Sequence, residues 1–136
     1  MDYLSSCKGI RYVTFPQFGE PLLNKNIWDY LDKCRSLGLK SELVTNGFLL
    51  NEENIDRLYK HRPDALQISL QIMDPNKHNK IRGTNSSFDL YINRIVTCLA
   101  KFIDDPLGNE DIHTDLAIKW DNFKGIIGLK LYFNSI

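Results

Sequence analysis

The chain has 136 residues, enough for one domain with a buried core and too few for two. Seventeen basic and seventeen acidic side chains cancel, and no stretch gathers one sign strongly enough to meet a phosphate backbone or an anionic membrane, so neither nucleic acid nor membrane is expected as a partner. The first residues lack the apolar run of a signal peptide and no later run reaches the length of a membrane span, which makes a cytoplasmic protein the expectation.

In chain order, Ile10-Arg11-Tyr12-Val13-Thr14-Phe15 is rich in β-branched and aromatic residues and stops at Pro16, the pattern of a strand and a break. Beyond Gly19-Glu20-Pro21, Ile27, Leu31, Cys34 and Leu37 recur at helical spacing, and Gly38 follows as a left-handed terminator. Ser41-Glu42-Leu43-Val44 predicts a short strand running into Thr45-Asn46-Gly47, whose Asn-Gly pair favours a tight turn with positive φ. Asn51 is then placed to cap a helix in which Glu52 and Glu53 meet the positive end of the dipole, while Ile55, Leu58 and Tyr59 form the buried stripe before Pro63.

Ala65-Leu66-Gln67-Ile68-Ser69-Leu70 makes a third strand, and Asp74-Pro75 has the form of a helix start. A longer helix is predicted from near Phe88, with Ser86 and Asp89 at capping-box spacing and an apolar stripe of Phe88, Ile92, Ile95, Leu99 and Phe102 or Ile103, ending at Asp105-Pro106. Residues 112–118 suit a fourth strand, and 125–133 are an apolar tail compatible with strand or helix. Strands separated by single helices at intervals of about 25 to 30 residues imply an α/β fold with a parallel sheet, open or barrel-like, in one domain over 1–136.

Cys7, Cys34 and Cys98 stand far apart, with none of the paired spacings of zinc or iron–sulfur sites, so no metal site is expected from this chain alone. Cys34 and Cys98 fall on apolar helix faces and read as small hydrophobes. His61, His78 and His113 are scattered, and Trp28 and Trp120 read as packing groups. No Gly-x-Gly-x-x-Gly, Walker loop or Gly-x-Ser-x-Gly is present, which speaks against dinucleotide, nucleoside triphosphate and hydrolase functions.

In parallel β/α folds a ligand sits beyond the carboxyl ends of the strands, where the loops converge. That rule selects Gln17-Phe18-Gly19-Glu20-Pro21, Thr45-Asn46-Gly47, and the stretch from Ser69 to Arg82. Together they offer a glycine that lets backbone approach a ligand, an acid, short polar groups and a guanidinium, a set suited to a zwitterionic small molecule. Singly, each is also an ordinary loop, turn or surface charge. Their order, each behind its own strand, is what raises them above that.

These segments resemble those of the radical SAM enzymes over residues 9–103. Phe18-Gly19-Glu20-Pro21-Leu22-Leu23 is similar to the family's Gly-Gly-Glu-Pro segment, Val44-Thr45-Asn46-Gly47-Phe48-Leu49-Leu50 to its Thr-Asn-Gly strand end, and Ile68-Ser69-Leu70 to its fourth-strand motif, with His78-Asn79-Lys80-Ile81-Arg82-Gly83 completing the series. The resemblance implies a partial (β/α) barrel and an enzyme in which a [4Fe–4S] cluster and S-adenosylmethionine yield a 5′-deoxyadenosyl radical that abstracts hydrogen from a substrate. It also implies roles. Gly19 and Glu20, within the motif that Pro21 closes, would hold the methionyl ammonium; Ser69 would lie near the ribose or carboxylate, Arg82 would pair with the carboxylate, and Thr45 and Asn46 would line or support the adenosyl pocket. The substrate, whether peptide, protein or small molecule, is not indicated.

Two departures stand out. Phe18 occupies the place where the family most often has a second glycine, and the family's Cys-x3-Cys-x2-Cys loop is matched nowhere in the chain. The favoured expectation is a radical SAM core truncated at the N-terminus, supplying the S-adenosylmethionine pocket, no catalytic residue, and no cluster, which would belong to the complete enzyme only. The alternatives are a cluster-free ligand-binding or protein-interaction module on the same scaffold, and an unrelated β/α domain with chance loop motifs.

Overall fold

A computed structural model describes residues 9–15, 19–70, 77, 80, 87–103, 112–121 and 126–135. Strand β1 (Tyr12–Phe15) is followed by a single 3-10 turn at Pro21–Leu23, helix α1 (Ile27–Ser36), β2 (Lys40–Thr45), α2 (Glu52–His61), β3 (Ala65–Leu70), α3 (Phe88–Ile103), β4 (Ile112–Asp121) and β5 (Ile126–Ser135). The sheet order is β1-β2-β3-β5-β4. β1, β2 and β3 are parallel, with Thr14 opposite Glu42 and Glu42 opposite Ala65.

The fold is therefore α/β, built on a three-stranded parallel sheet with helices, as in a partial radical SAM barrel. The segments least legible in the sequence hold β4 and β5, which pair with each other antiparallel, and β5 lies antiparallel along β3. Consecutive strands without a helix between them cannot be parallel neighbours, so the sheet is mixed on that side.

Local signals explain the elements. α1 ends where Gly38 takes φ +66°, with the Leu39 amide reaching back to the Cys34 carbonyl at 2.9 Å. Asn51 caps α2, its side chain accepting from the Asn54 amide at 2.9 Å. At the start of α3 the Ser87 hydroxyl takes the Leu90 amide at 3.3 Å. Ser86, the expected cap, lies outside the described residues, as do Cys7, Phe18, His78, the helix expected at Asp74-Pro75, and the stop at Asp105-Pro106.

One face of the parallel sheet is apolar: Leu43, Leu66 and Ile68 pack with Ile27 and Leu31 of α1, Ile55 and Leu58 of α2, and Ile95 and Phe102 of α3. Trp28 and both described cysteines, Cys34 and Cys98, are buried as expected. The stripe of α3 is turned slightly from the expected one. Tyr91, Ile95, Cys98 and Phe102 are its buried line, with Phe88, Ile92 and Leu99 at the margin. No helix among the described residues is long and apolar enough to cross a membrane.

Candidate ligand site at the strand ends

Because β1, β2 and β3 run parallel, their carboxyl ends share one edge, and the loops after them start side by side. Gly19 and Glu20 follow β1. Gly19 has φ +97°, and among the described residues nothing lies within 4 Å of where a Cβ would stand, which leaves its backbone open to an approaching group on their side. Glu20 is extended (φ −114°, ψ 110°) and caps the short turn that Pro21 begins.

The Glu20 carboxylate links the first two loops. Oε1 accepts from the Leu22 amide at 3.2 Å and from the Thr45 hydroxyl at 2.8 Å. Oε2 accepts from the Asn46 amide at 2.8 Å. A carboxylate offers about four lone-pair positions, so these three donors leave room for one more. Glu20 can thus meet a ligand's ammonium while fixed in place by its own chain.

The Thr45-Asn46-Gly47 segment is closed by its own side chains. The Thr45 hydroxyl accepts from the Gly47 amide at 3.1 Å, and Asn46 Oδ1 accepts from the Phe48 amide at 2.9 Å. Gly47 takes φ +81°, and a Cβ there would lie 3.2 Å from Ile68 Cγ2 and 3.3 Å from Tyr91 Cε2. The Asn54 side-chain amide holds the Leu49 carbonyl at 2.8 Å from α2.

Helix α3 supplies two residues that the sequence reading missed. The Tyr91 hydroxyl lies 2.9 Å from the Asn46 carbonyl oxygen and 3.4 Å from that of Ser69, and Arg94 Nη1 donates to the Phe48 carbonyl at 2.9 Å. The available signal was the phase of α3, since positions 91, 95, 98 and 102 form a cleaner helical line than the one expected and put Tyr91 in its first turn. The structure thus brings Glu20, Thr45, Asn46 and Ser69 into one hydrogen-bonded system, Ser69 through its carbonyl. Arg82 lies outside the described residues.

Of the scattered histidines, His61 has structural partners. His61 Nδ1 is 2.9 Å from Asp32 Oδ2, with its ring against Trp28 at 5.7 Å, joining α1 to α2. His113 falls in β4.

The described residues do not fit an iron–sulfur cluster. Ligation needs thiolates gathered around the cluster. Burial pushes the Cys98 thiol up to about 12, and burial, then the charge of Asp64, raises that of Cys34. Among the described residues no three His, Cys, Asp or Glu side chains stand together as a metal site. The open backbone at Gly19 and the fourth position on Glu20 do fit the amino-acid end of S-adenosylmethionine.

An uncharacterized protein of Methanocaldococcus jannaschii is 38% identical over 85 residues, which are 62% of this chain and 28% of that protein. The PqqA peptide cyclases of Xanthomonas oryzae pv. oryzae and Xanthomonas axonopodis pv. citri are each 35% identical over 69 residues, 51% of this chain and 18% of theirs. The chain thus matches less than a third of the length of these relatives. S-adenosylmethionine and a [4Fe–4S] cluster are the cofactors of the family in general. The model of the Radical SAM superfamily matches residues 4–114, and the chain belongs to that superfamily.

Proposed function

We propose that this chain forms the S-adenosylmethionine side of a radical SAM site and works as part of a cytoplasmic enzyme whose cluster is held by residues other than these 136. The observation that carries the reading is the Glu20 carboxylate. It joins two of the family's motif segments at adjacent strand ends and keeps one acceptor position for a ligand ammonium.

In this reading Gly19 and Glu20 face the methionyl ammonium, and Pro21 fixes the turn behind them. Arg82 and Ser69 serve the carboxylate or ribose, and Thr45 and Asn46 support the adenosyl pocket. A reduced cluster and S-adenosylmethionine together supply the 5′-deoxyadenosyl radical in this family. This chain's part is to bind and orient the ligand. A peptide is the favoured substrate class, because the Xanthomonas relatives are named as peptide cyclases.

Titration calorimetry of the folded chain with S-adenosylmethionine tests the reading. Binding that disappears in Glu20→Ala is the expected result. A folded chain that takes up no S-adenosylmethionine overturns it.

A second reading, a cluster-free binding or interaction module on the same scaffold, is favoured by one observation: both described cysteines are core residues with raised thiols. Anaerobic reconstitution of the longest available form of the protein with iron and sulfide, followed by one-electron reduction with dithionite to the paramagnetic [4Fe–4S]+ state, separates the two. A [4Fe–4S] electron paramagnetic resonance signal that shifts on adding S-adenosylmethionine supports the enzyme, and its absence supports the module.

A further inference from the structure

The Thr45-Asn46-Gly47 segment is held from two sides, and only one of them belongs to a family motif. On the motif side Glu20 takes the Thr45 hydroxyl and the Asn46 amide. On the other side stands Tyr91, 2% exposed, in the first turn of α3.

A phenol has a single proton, so Tyr91 donates to the Asn46 carbonyl at 2.9 Å and extends a bifurcated arm to the Ser69 carbonyl at 3.4 Å. Asn46 follows β2 and Ser69 lies near the end of β3, so one hydroxyl spans two neighbouring strand ends. The ring fills the space that Gly47 leaves open, and Phe48 stacks on it with ring centroids 4.7 Å apart. One turn further along α3, Arg94 holds the Phe48 carbonyl. Hydrogen bonds therefore run from Glu20 through Thr45 and Asn46 to Tyr91 and Ser69, crossing the ends of β1, β2 and β3 in order.

We propose that Tyr91 is a positioning residue for the ligand site: its hydroxyl fixes the spacing of the β2 and β3 ends, so that Asn46 and Ser69 meet S-adenosylmethionine as one surface. Packing alone would be served by a phenylalanine of the same shape. What the hydroxyl adds is a tie from a third element, α3, to the Asn46 and Ser69 carbonyls just beyond Thr45 and Ile68, the last pair of the β2–β3 ladder. Helix α3, which carries no family motif, thereby sets the affinity of a site built by motifs. The inference rests on the S-adenosylmethionine reading above, but the tie itself can be measured without ligand.

The test compares Tyr91→Phe with the parent chain and with Ile55→Val, a core change in α2 away from the site, by calorimetry with S-adenosylmethionine and by amide hydrogen exchange. Loss of one buried hydrogen bond should weaken binding about tenfold in Tyr91→Phe. Exchange should quicken in both 45–48 and 68–70, while Ile55→Val lowers the melting temperature and leaves the affinity unchanged.

A folded Tyr91→Phe chain that binds like the parent overturns the proposal, as does faster exchange confined to one of the two segments. If the parent itself binds no S-adenosylmethionine, the ligand reading fails, and the exchange arm alone decides about Tyr91, unchanged rates in both segments rejecting it. Should Tyr91→Phe fail to fold, a fluorinated tyrosine in place of Tyr91 serves instead. Exchange in both segments should then rise with pH beyond the parent's at the same pH as the more acidic phenol loses its proton, and coincident profiles would sink the idea.

Discussion

The Thr45 hydroxyl donates to the Glu20 carboxylate at 2.8 Å, across 25 residues of sequence, and ties the loop after the first strand to the end of the second. Replacing Glu20 by Gln keeps the shape but puts an amide NH2 against donors that had been facing an oxygen. For a half-buried carboxylate with three donors, the expected loss in Glu20→Gln is about 1 to 2 kcal/mol of unfolding free energy, read from urea denaturation. Glu20→Asp should cost a similar amount, since the shorter side chain cannot span both oxygens' partners. A variant as stable as the parent would mean that the carboxylate does not hold the loops together.

Gly47 and Gly38 separate two kinds of glycine requirement. Both have positive φ, +81° and +66°, but only at Gly47 would a Cβ meet neighbours closer than 3.4 Å. Gly38→Ala carries the backbone penalty alone, about 1 kcal/mol. Gly47→Ala adds crowding against Ile68 and Tyr91, and about 2 to 4 kcal/mol is expected in total. Equal losses in the two variants would show that the loop yields to the methyl group.

Arg35 of α1 closes the far end of α2 by donating to the His61 carbonyl at 3.0 Å and the Arg62 carbonyl at 2.9 Å. These are carbonyls that the helix itself leaves unsatisfied, at the negative end of its dipole. Arg35→Ala should quicken amide exchange in the last turn of α2 and cost about 1 kcal/mol or less, because the side chain is 56% exposed. Lysine, a point donor without the guanidinium's reach to two acceptors, should restore only part of the protection. Undisturbed exchange in that turn of Arg35→Ala would remove Arg35 from the account.

The Cys98 thiol, raised from 9.0 to about 12 by burial, makes stability fall in alkali. The folded state keeps the proton while the unfolded chain loses it above its ordinary value, so the folded state binds more protons between pH 9 and 12. Stability is whole well below pH 9 and declines above it, by about 1 kcal/mol at pH 10 from this group. The difference in unfolding free energy between the parent and Cys98→Ala should therefore shrink by that amount from pH 8 to pH 10. A constant difference would count against a protonated, buried thiol.

The sequence disclosed those parts of the fold whose signals are local. Gly38 as a helix stop, Asn51 as a cap and the limits of β3 needed only neighbours in the chain to be recognised. The three strand-end segments followed from a parallel order that the helix between each pair of strands enforces. The antiparallel pair of β4 and β5 was less legible because apolar runs of that length suit strand or helix, and their partner is β3, far back in the chain. At the site, motif residues could be picked out by pattern. The way Glu20 is used could not: its carboxylate is spent mostly on its own chain, a matter of three-dimensional approach. Tyr91 escaped notice for the same reason, being to the eye one more aromatic in an apolar stripe.

The double anchoring of Thr45, Asn46 and Gly47 has a thermodynamic corollary. A loop that is already wired to Glu20, Tyr91 and Arg94 has little conformational freedom left for a ligand to remove. Association at this edge should therefore resemble docking onto a finished surface, with a small negative heat-capacity change and no sign of coupled folding. The disorder of these residues is surrendered once, when the chain folds, and a molecule arriving later finds its seat already built.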